Sequence, residues 1–241
     1  MPKPIIKKIG AWSFSRWGDY QQCPQKAKYK VIDKLKEPGS PQMERGTLIH
    51  GIAEKYTKGE IPTKMPHELK HFSDLFKVLR AQYKKRLDSM CVEDQWAFDK
   101  DWNPCRWDDW NNCWVRIKLD CAYMWQDDNE DYVLDVIDWK TGQNRPEKTE
   151  EYLMQLELYA LAALVLHPHI KKVRPSLKFL DSGDTEPKEL VTYTQADVPR
   201  LKKLWERRVK AMMNDTSFAP RPNDKCRWCH FRKANGGPCQ Y

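Results

Sequence analysis

Two segments of this 241-residue chain place acids where chemistry needs them. Val115 to Tyr123 alternates apolar and polar residues, as a strand with one buried face does, and carries Asp120. Tyr132 to Lys140 reads as a second strand, ending in Asp138-Trp139-Lys140 before Thr141-Gly142. The turn between them, Asp127 to Asp131, is short. The two strands should therefore pair antiparallel, with Asp120 and Asp138 as neighbours at one end of a sheet. Adjacent carboxylates repel each other unless a cation sits between them. Oxygen ligands of this kind select Mg²⁺ or Mn²⁺. Lys140, two residues after Asp138, points to the same face. An ammonium there can orient a metal-bound water and offset charge developing on a phosphoryl group.

Asp-x-Lys occurs by chance in many chains, so the neighbouring segments matter. Arg45-Gly46-Thr47 precedes His50, and Glu54 follows at i+4 on the same helix face. Gln155 and Tyr159 repeat that spacing in the helix after the lysine. Each pair is also what an ordinary amphipathic helix presents.

The elements that must hold these residues can be read from periodicity. Trp12 to Lys30 is a short helix with its lead-in, and Glu37-Pro38-Gly39-Ser40-Pro41 is a loop. Helices are predicted over 42–58 and 67–90, the second with Leu69, Phe72, Leu75, Phe76, Val78, Leu79 and Tyr83 on one buried side. A strand is expected over Gln95 to Lys100, then a Trp- and Asp-rich loop over 101–112, then the two strands above. A helix over 147–166 follows, then strands at Ser176–Leu180 and Leu190–Thr194, and a last amphipathic helix over 196–213. Helices, a meander, a crossing helix and more strands make a mixed α/β domain. The division expected is a helical part (1–90), a catalytic core (91–214) and a Cys-rich tail (215–241) within a single domain.

Composition narrows the class. Forty-two Lys and Arg against 34 Asp and Glu give a net charge of +8. Residues 1–40 hold nine basic and three acidic residues, and 196–241 hold eleven and four, whereas 101–138 hold three and ten. Basic flanks around an acidic centre suit a chain that attracts phosphate backbones and gathers cations at one spot. A solvated surface of mixed charge has the same composition. No run of 18 apolar residues appears and the basic N-terminus lacks an apolar core, so a cytoplasmic location is expected, inside the host cell for a phage-encoded chain. The eight cysteines are then buried thiols or metal ligands rather than a disulfide framework.

Arg45-Gly46-Thr47-x-x-His50, Asp120, Asp138-Trp139-Lys140-Thr141-Gly142 and Gln155-x-x-x-Tyr159 stand in an order that resembles the PD-(D/E)XK nucleases of the RecB type. That group includes AddB-type nuclease domains, the exonucleases of CRISPR adaptation and small phage exonucleases. Ser13-Phe14-Ser15-Arg16-Trp17-x-x-Tyr20-x-x-Cys23-Pro24 is similar to the family's N-terminal signature, and the resemblance spans about residues 12 to 239. It implies a restriction-endonuclease-like core, with a mixed central sheet flanked by helices. It implies that His50, Asp120, Asp138 and the backbone carbonyl of Trp139 bind Mg²⁺ or Mn²⁺. Lys140 would activate the attacking water, Gln155 and Tyr159 would support it, and Glu54 would stand behind the metal ligands. The implied activity is hydrolysis of DNA phosphodiesters by a phage-type exonuclease in recombination or DNA processing. The DNA would be single strands or duplex ends, with a single-strand-annealing or recombination protein as partner. A structure-specific endonuclease on the same fold, or a non-catalytic nucleic-acid-binding module, remain alternatives. The intact set of His50, Asp120, Asp138 and Lys140 argues against the last.

Cys226-Arg227-Trp228-Cys229, with nine residues between it and Cys239, is a metal signal in its own right. In part of the resembling family three such cysteines join one far upstream, here Cys23, to hold a [4Fe–4S] cluster that staples the tail to the first helix. A zinc site using His230 or Cys23, or no metal at all, are the other readings. Six of the eleven tryptophans fall between Trp96 and Trp125. Trp102, Trp107, Trp110 and Trp114 are expected to pack that acidic loop onto the core rather than to stack on bases.

Overall fold

The computed structural model describes residues 8–85 and 89–241. A five-stranded sheet runs in the order β1 (Met90–Phe98), β2 (Val115–Gln126), β3 (Tyr132–Lys140), β4 (Lys172–Phe179) and β5 (Thr185–Glu186). The first three strands form an antiparallel meander, β4 lies parallel to β3, and β5 turns back against β4. The parallel step needs a crossover, which is α5 (Thr149–Leu166). From Leu158 on that helix is apolar all round, and it buries Leu156, Leu158 and Tyr159 through Leu164.

The sheet is covered on both faces. One face packs against α1 (Phe14–Gln22), α2 (Pro24–Val31), α5 and α6 (Val198–Asn214), through Trp17, Ala27, Leu161 and Trp205 among others. The other packs against α3 (Pro41–Lys58) and α4 (Ser73–Lys85), through Ile49, Ala53, Tyr56, Phe76 and Leu79. Among the described residues no helix is long and apolar enough to cross a membrane.

Several predicted boundaries move, each for a local reason. The helix expected over Trp12 to Lys30 is two helices broken at Cys23, because Pro24 starts α2 at a position where its missing N–H costs nothing. His67–Phe72 is 3-10 rather than α-helical, and 86–88 of that predicted helix lie outside the described residues. β1 begins at Met90, five residues before the expected strand, and β4 begins at Lys172. Leu190–Thr194 is not a strand. It makes a single bridge through Tyr193 to Val173, and Thr185–Glu186 takes the edge position instead. In the Trp-rich loop, Trp102 and Trp114 are buried, and Trp12 stacks on Trp205 at 5.4 Å while meeting both edge-on. Trp110 departs from the packing expectation: it is 69% exposed.

Candidate active site

β2 and β3 pair from Gln126↔Tyr132 to Cys121↔Ile137 and then separate. The next register position holds Asp120 and Asp138. Asp120 turns into the gap, where its Oδ2 accepts the Trp139 backbone N–H at 2.6 Å. The two carboxylates thus share one opening at the end of the paired region, and both are buried.

Helices from opposite faces close on that opening. From α3, His50 Nδ1 approaches Asp120 Oδ1 at 3.2 Å. From α5, Tyr159 donates its hydroxyl to Asp138 Oδ1 at 2.7 Å and accepts from Gln155 Nε2 at 2.7 Å. Gln155 Nε2 also lies 3.2 Å from Asp138 Oδ1, while its Oε1 accepts from Lys140 Nζ at 3.1 Å. Lys140 Nζ stands 2.7 Å from Asp138 Oδ2, so the ammonium is this buried oxygen's partner. The start of α3 is docked to the end of β3 through Asp181. Its carboxylate takes Arg45 in a bidentate pair at 2.7 and 2.8 Å and the Gly142 N–H at 2.6 Å. Gly142 sits at φ 91°, where a side chain would strain the turn that ends β3.

Sequence reasoning missed Glu93. On β1 it stands opposite Asp120, between the pairs Val92↔Cys121 and Asp94↔Leu119. Its φ is +54°, uncommon for a residue other than glycine. The strands change faces there. Met90 and Val92 pack with α3 and α4, whereas Trp96 and Phe98, of the same parity, pack with α5 and α6. Strain of this kind concentrates at functional sites. Glu93 Oε1 lies 3.8 Å from His50 Nδ1, and Oε2 lies 2.9 Å from Lys118 Nζ. His50, Glu93 and Asp120 offer ligand atoms all within 4.8 Å of one another. The only sequence signal was a carboxylate amid β-type residues, and it becomes legible only once the register with Asp120 is known. Glu54, expected near His50, instead pairs with Lys58 at 2.6 Å. The i, i+4 partner one turn on captured it.

Three carboxylates in one opening set the electrostatics. Burial, and then the charge of Asp138, push Asp120 up to about 6 against the pull of His50. Burial opposes charge on His50, but hydrogen bonds to Asp120 and Glu93 outweigh it and raise its pKa to about 10. Burial likewise opposes charge on Lys140, and Asp138 and Asp120 overcome it, so its pKa stands above the ordinary value. The cluster therefore holds protons and ammonium where a divalent cation would satisfy it better. Carboxylate oxygens of Glu93, Asp120 and Asp138 and one imidazole nitrogen fit a hard cation.

A groove of about 930 Å³ leads to Lys140 and is lined by Arg16, Trp107, Arg116, Lys118, Gln155 and Tyr159 among others. Elsewhere, Cys23, Cys226, Cys229 and Cys239 line one small cavity between α2 and the tail, with Tyr29 and Phe231 (ring centres 5.3 Å apart) as its apolar wall. His230 is exposed and does not line that cavity.

A family model described as the PD-(D/E)XK nuclease superfamily matches residues 11–122 and 123–234. Among solved structures, a crystal structure from Eubacterium rectale described as a "Putative exonuclease" is similar over 95% of this chain and 88% of that one. The two share 12% identity, with a TM-score of 0.46. No curated protein matches this chain significantly.

Proposed function

The chain belongs to the PD-(D/E)XK nuclease superfamily, and on that premise we propose that it is a Mg²⁺- or Mn²⁺-dependent DNA exonuclease whose centre lies where β2 and β3 part. The observation that carries this reading is that His50, Glu93 and Asp120 gather ligand atoms within 4.8 Å of one another, with Asp138 at the adjoining register position and Lys140 2.7 Å from it. His50, Glu93, Asp120 and Asp138, with the Trp139 carbonyl, would hold the cation. When bound, a divalent cation activates water and stabilises the attacking and leaving oxygens of a phosphodiester. Lys140, kept charged by Asp138 and Asp120, orients the nucleophile and offsets charge on the scissile phosphate. Gln155 fixes the Lys140 ammonium, and Tyr159 fixes Asp138. Both come from the rigid buried helix α5, which suits atoms that must be placed to a fraction of an ångström.

The test is digestion of end-labelled linear DNA beside covalently closed circles, with Mg²⁺ or Mn²⁺. Shortening linear strands and inert circles are expected. Nicked or linearised circles would favour the structure-specific endonuclease instead. Work in phage recombination, beside a strand-annealing partner, belongs to the same proposal and is served by end-directed digestion.

Glu93 enters the proposal as a cation ligand. Glu93→Gln should raise the metal concentration needed for half-maximal cleavage on the order of 10-fold or more, with turnover recovering at saturating metal. An unchanged metal requirement would reduce Glu93 to an anchor for Lys118.

The four-cysteine cavity is proposed to hold a structural [4Fe–4S] cluster. The four cysteines line one cavity between α2 and the tail, whereas His230, which the zinc reading would add, is exposed and outside it. Joining Cys23 to the tail closes a loop of about 200 residues, where the entropy removed from the unfolded chain is large. Anaerobically purified protein should absorb broadly near ~400 nm. Cys23→Ser should bleach it and lower the melting temperature. Colourless protein with one zinc per chain, indifferent to Cys23→Ser, would overturn the assignment.

A further inference from the structure

The groove holds a second concentration of positive charge that the proposed centre does not use. Beyond the end of β3, the flank of β2 is taken by Trp12. The Trp12 N–H donates to the Trp114 carbonyl and the Arg116 N–H donates to the Trp12 carbonyl, both at 2.8 Å. This pairing sets the N-terminus of α1 beside Arg116. Ser13 caps that helix by accepting from the Arg16 N–H at 3.3 Å. The Phe14 and Ser15 N–H groups have no partner within the helix, as first-turn donors must not. Arg16 donates one guanidinium nitrogen to the Ala11 carbonyl at 2.7 Å. Burial, and then the charge of Arg116, lower its pKa, so the two guanidinium groups feel each other.

Arg116 is the unusual member. It is only 5% exposed, yet Nη2 has no hydrogen-bond partner, and Nε reaches only the Cys113 sulfur at 3.3 Å. Among the described residues neither Arg16 nor Arg116 forms an ion pair. Asp108, whose carboxyl feels the Arg116 charge, is held in a bidentate pair by Arg106, and Asp120, four residues on, accepts the Trp139 N–H and faces His50. A buried guanidinium left unsatisfied is costly, and paired arginines with no carboxylate between them match an oxyanion. Trp110 lies over the Arg116 guanidinium at 3.6 Å from the ring centre, with Trp107 at 5.2 Å, and Trp110 is 69% exposed.

We propose that Arg116, Arg16 and the first N–H groups of α1 form a phosphate subsite separate from the metal centre. It grips an internal, non-scissile phosphodiester of a single DNA strand while Trp110 stacks on the adjoining base. The proposal rests on the nuclease reading and deepens it, because it names the strand form that the reading leaves open. A base can cover Trp110 only when it has left its own stack, so a paired duplex gains the phosphate contact and loses the aromatic one.

Binding and chemistry can be read separately. Affinity is measured by fluorescence anisotropy of labelled oligothymidylate and of a blunt duplex, in Ca²⁺ over a range of salt. Hydrolysis is measured on the p-nitrophenyl ester of thymidine 5′-phosphate with Mn²⁺, a diester too short to reach the subsite. Arg16→Ala should weaken single-strand binding and reduce the slope of log affinity against log salt by about 0.7, whereas Arg116→Lys, which keeps the charge but loses the guanidinium fork, should weaken binding with little change in slope. Both should hydrolyse the small diester at the wild-type rate. Trp110→Ala should weaken single-strand binding about tenfold or more and leave duplex binding unchanged. Wild-type affinity in both arginine variants, with the wild-type slope in Arg16→Ala, would overturn the subsite. So would a loss of small-diester hydrolysis matching the loss of binding, because the variants would then be structurally damaged. A loss confined to 5′-phosphorylated strands would overturn the internal assignment and leave a terminal-phosphate pocket. Equal loss on duplex and single strand in Trp110→Ala would overturn the stacking. Failure of the wild-type protein to hydrolyse either DNA or the small diester would instead strike the nuclease reading, with the anisotropy result standing on its own.

Discussion

Asp138→Asn should abolish metal-dependent DNA cleavage while the protein stays folded and binds DNA as well as before or better. Asp138 is buried, and its Oδ1 already receives the Tyr159 hydroxyl at 2.7 Å, a contact the amide oxygen of Asn can keep. The other oxygen, Oδ2, is buried beside the Lys140 ammonium at 2.7 Å and is the atom a cation would use. The substitution replaces that oxygen with an amide nitrogen, a donor that cannot ligate a cation. It also removes a negative charge from the place where a phosphate must approach, which is why binding should hold or tighten. Turnover and anisotropy on the same single-stranded substrate check both halves. Cleavage at the wild-type rate in Mg²⁺ would refute the role given to Asp138.

Lys140→Ala should lower turnover by about 10²–10³ with little change in KM, the typical consequence of losing one preorganised charge partner of the transition state. Lys140 is positioned for this by two contacts, Asp138 at 2.7 Å and Gln155 at 3.1 Å, neither of which involves substrate. Lys140→Arg should not restore the rate, because a guanidinium is larger and its fork differs from the compact ammonium that Gln155 holds. A rise in KM with turnover unchanged would mean that Lys140 only contacts a phosphate.

Much of this arrangement was legible in the sequence because chemistry and local structure coincide there. Thr141-Gly142 ends β3, so the strand's end and the Asp138-Trp139-Lys140 triplet are read together. The short Asp127–Asp131 turn makes β2 and β3 antiparallel, which brings Asp120 to the level of Asp138. Other features depend on contacts between distant segments. Glu93 belongs to the site only because β1 lies beside β2 in one register, and because its left-handed backbone turns the strand there. Glu54 has the spacing of a helper to His50, but Lys58, equally spaced on its other side, takes it. Trp110 shares its composition with buried neighbours, and what separates it is the guanidinium of Arg116 beneath it. The strand expected at Leu190–Thr194 has suitable residues, but only one of them reaches a partner.

One divalent cation should sit in the opening between Asp120 and Asp138. Anomalous diffraction from crystals soaked in Mn²⁺ tests it most directly. A peak at bonding distance from carboxylate oxygens of Asp120 and Asp138, with His50 or Glu93 completing the set and lost in Asp138→Asn, is the predicted result. Strong Mn²⁺ density elsewhere, with His50 still bonded to Asp120 in crystals of protein that cleaves DNA, would contradict it.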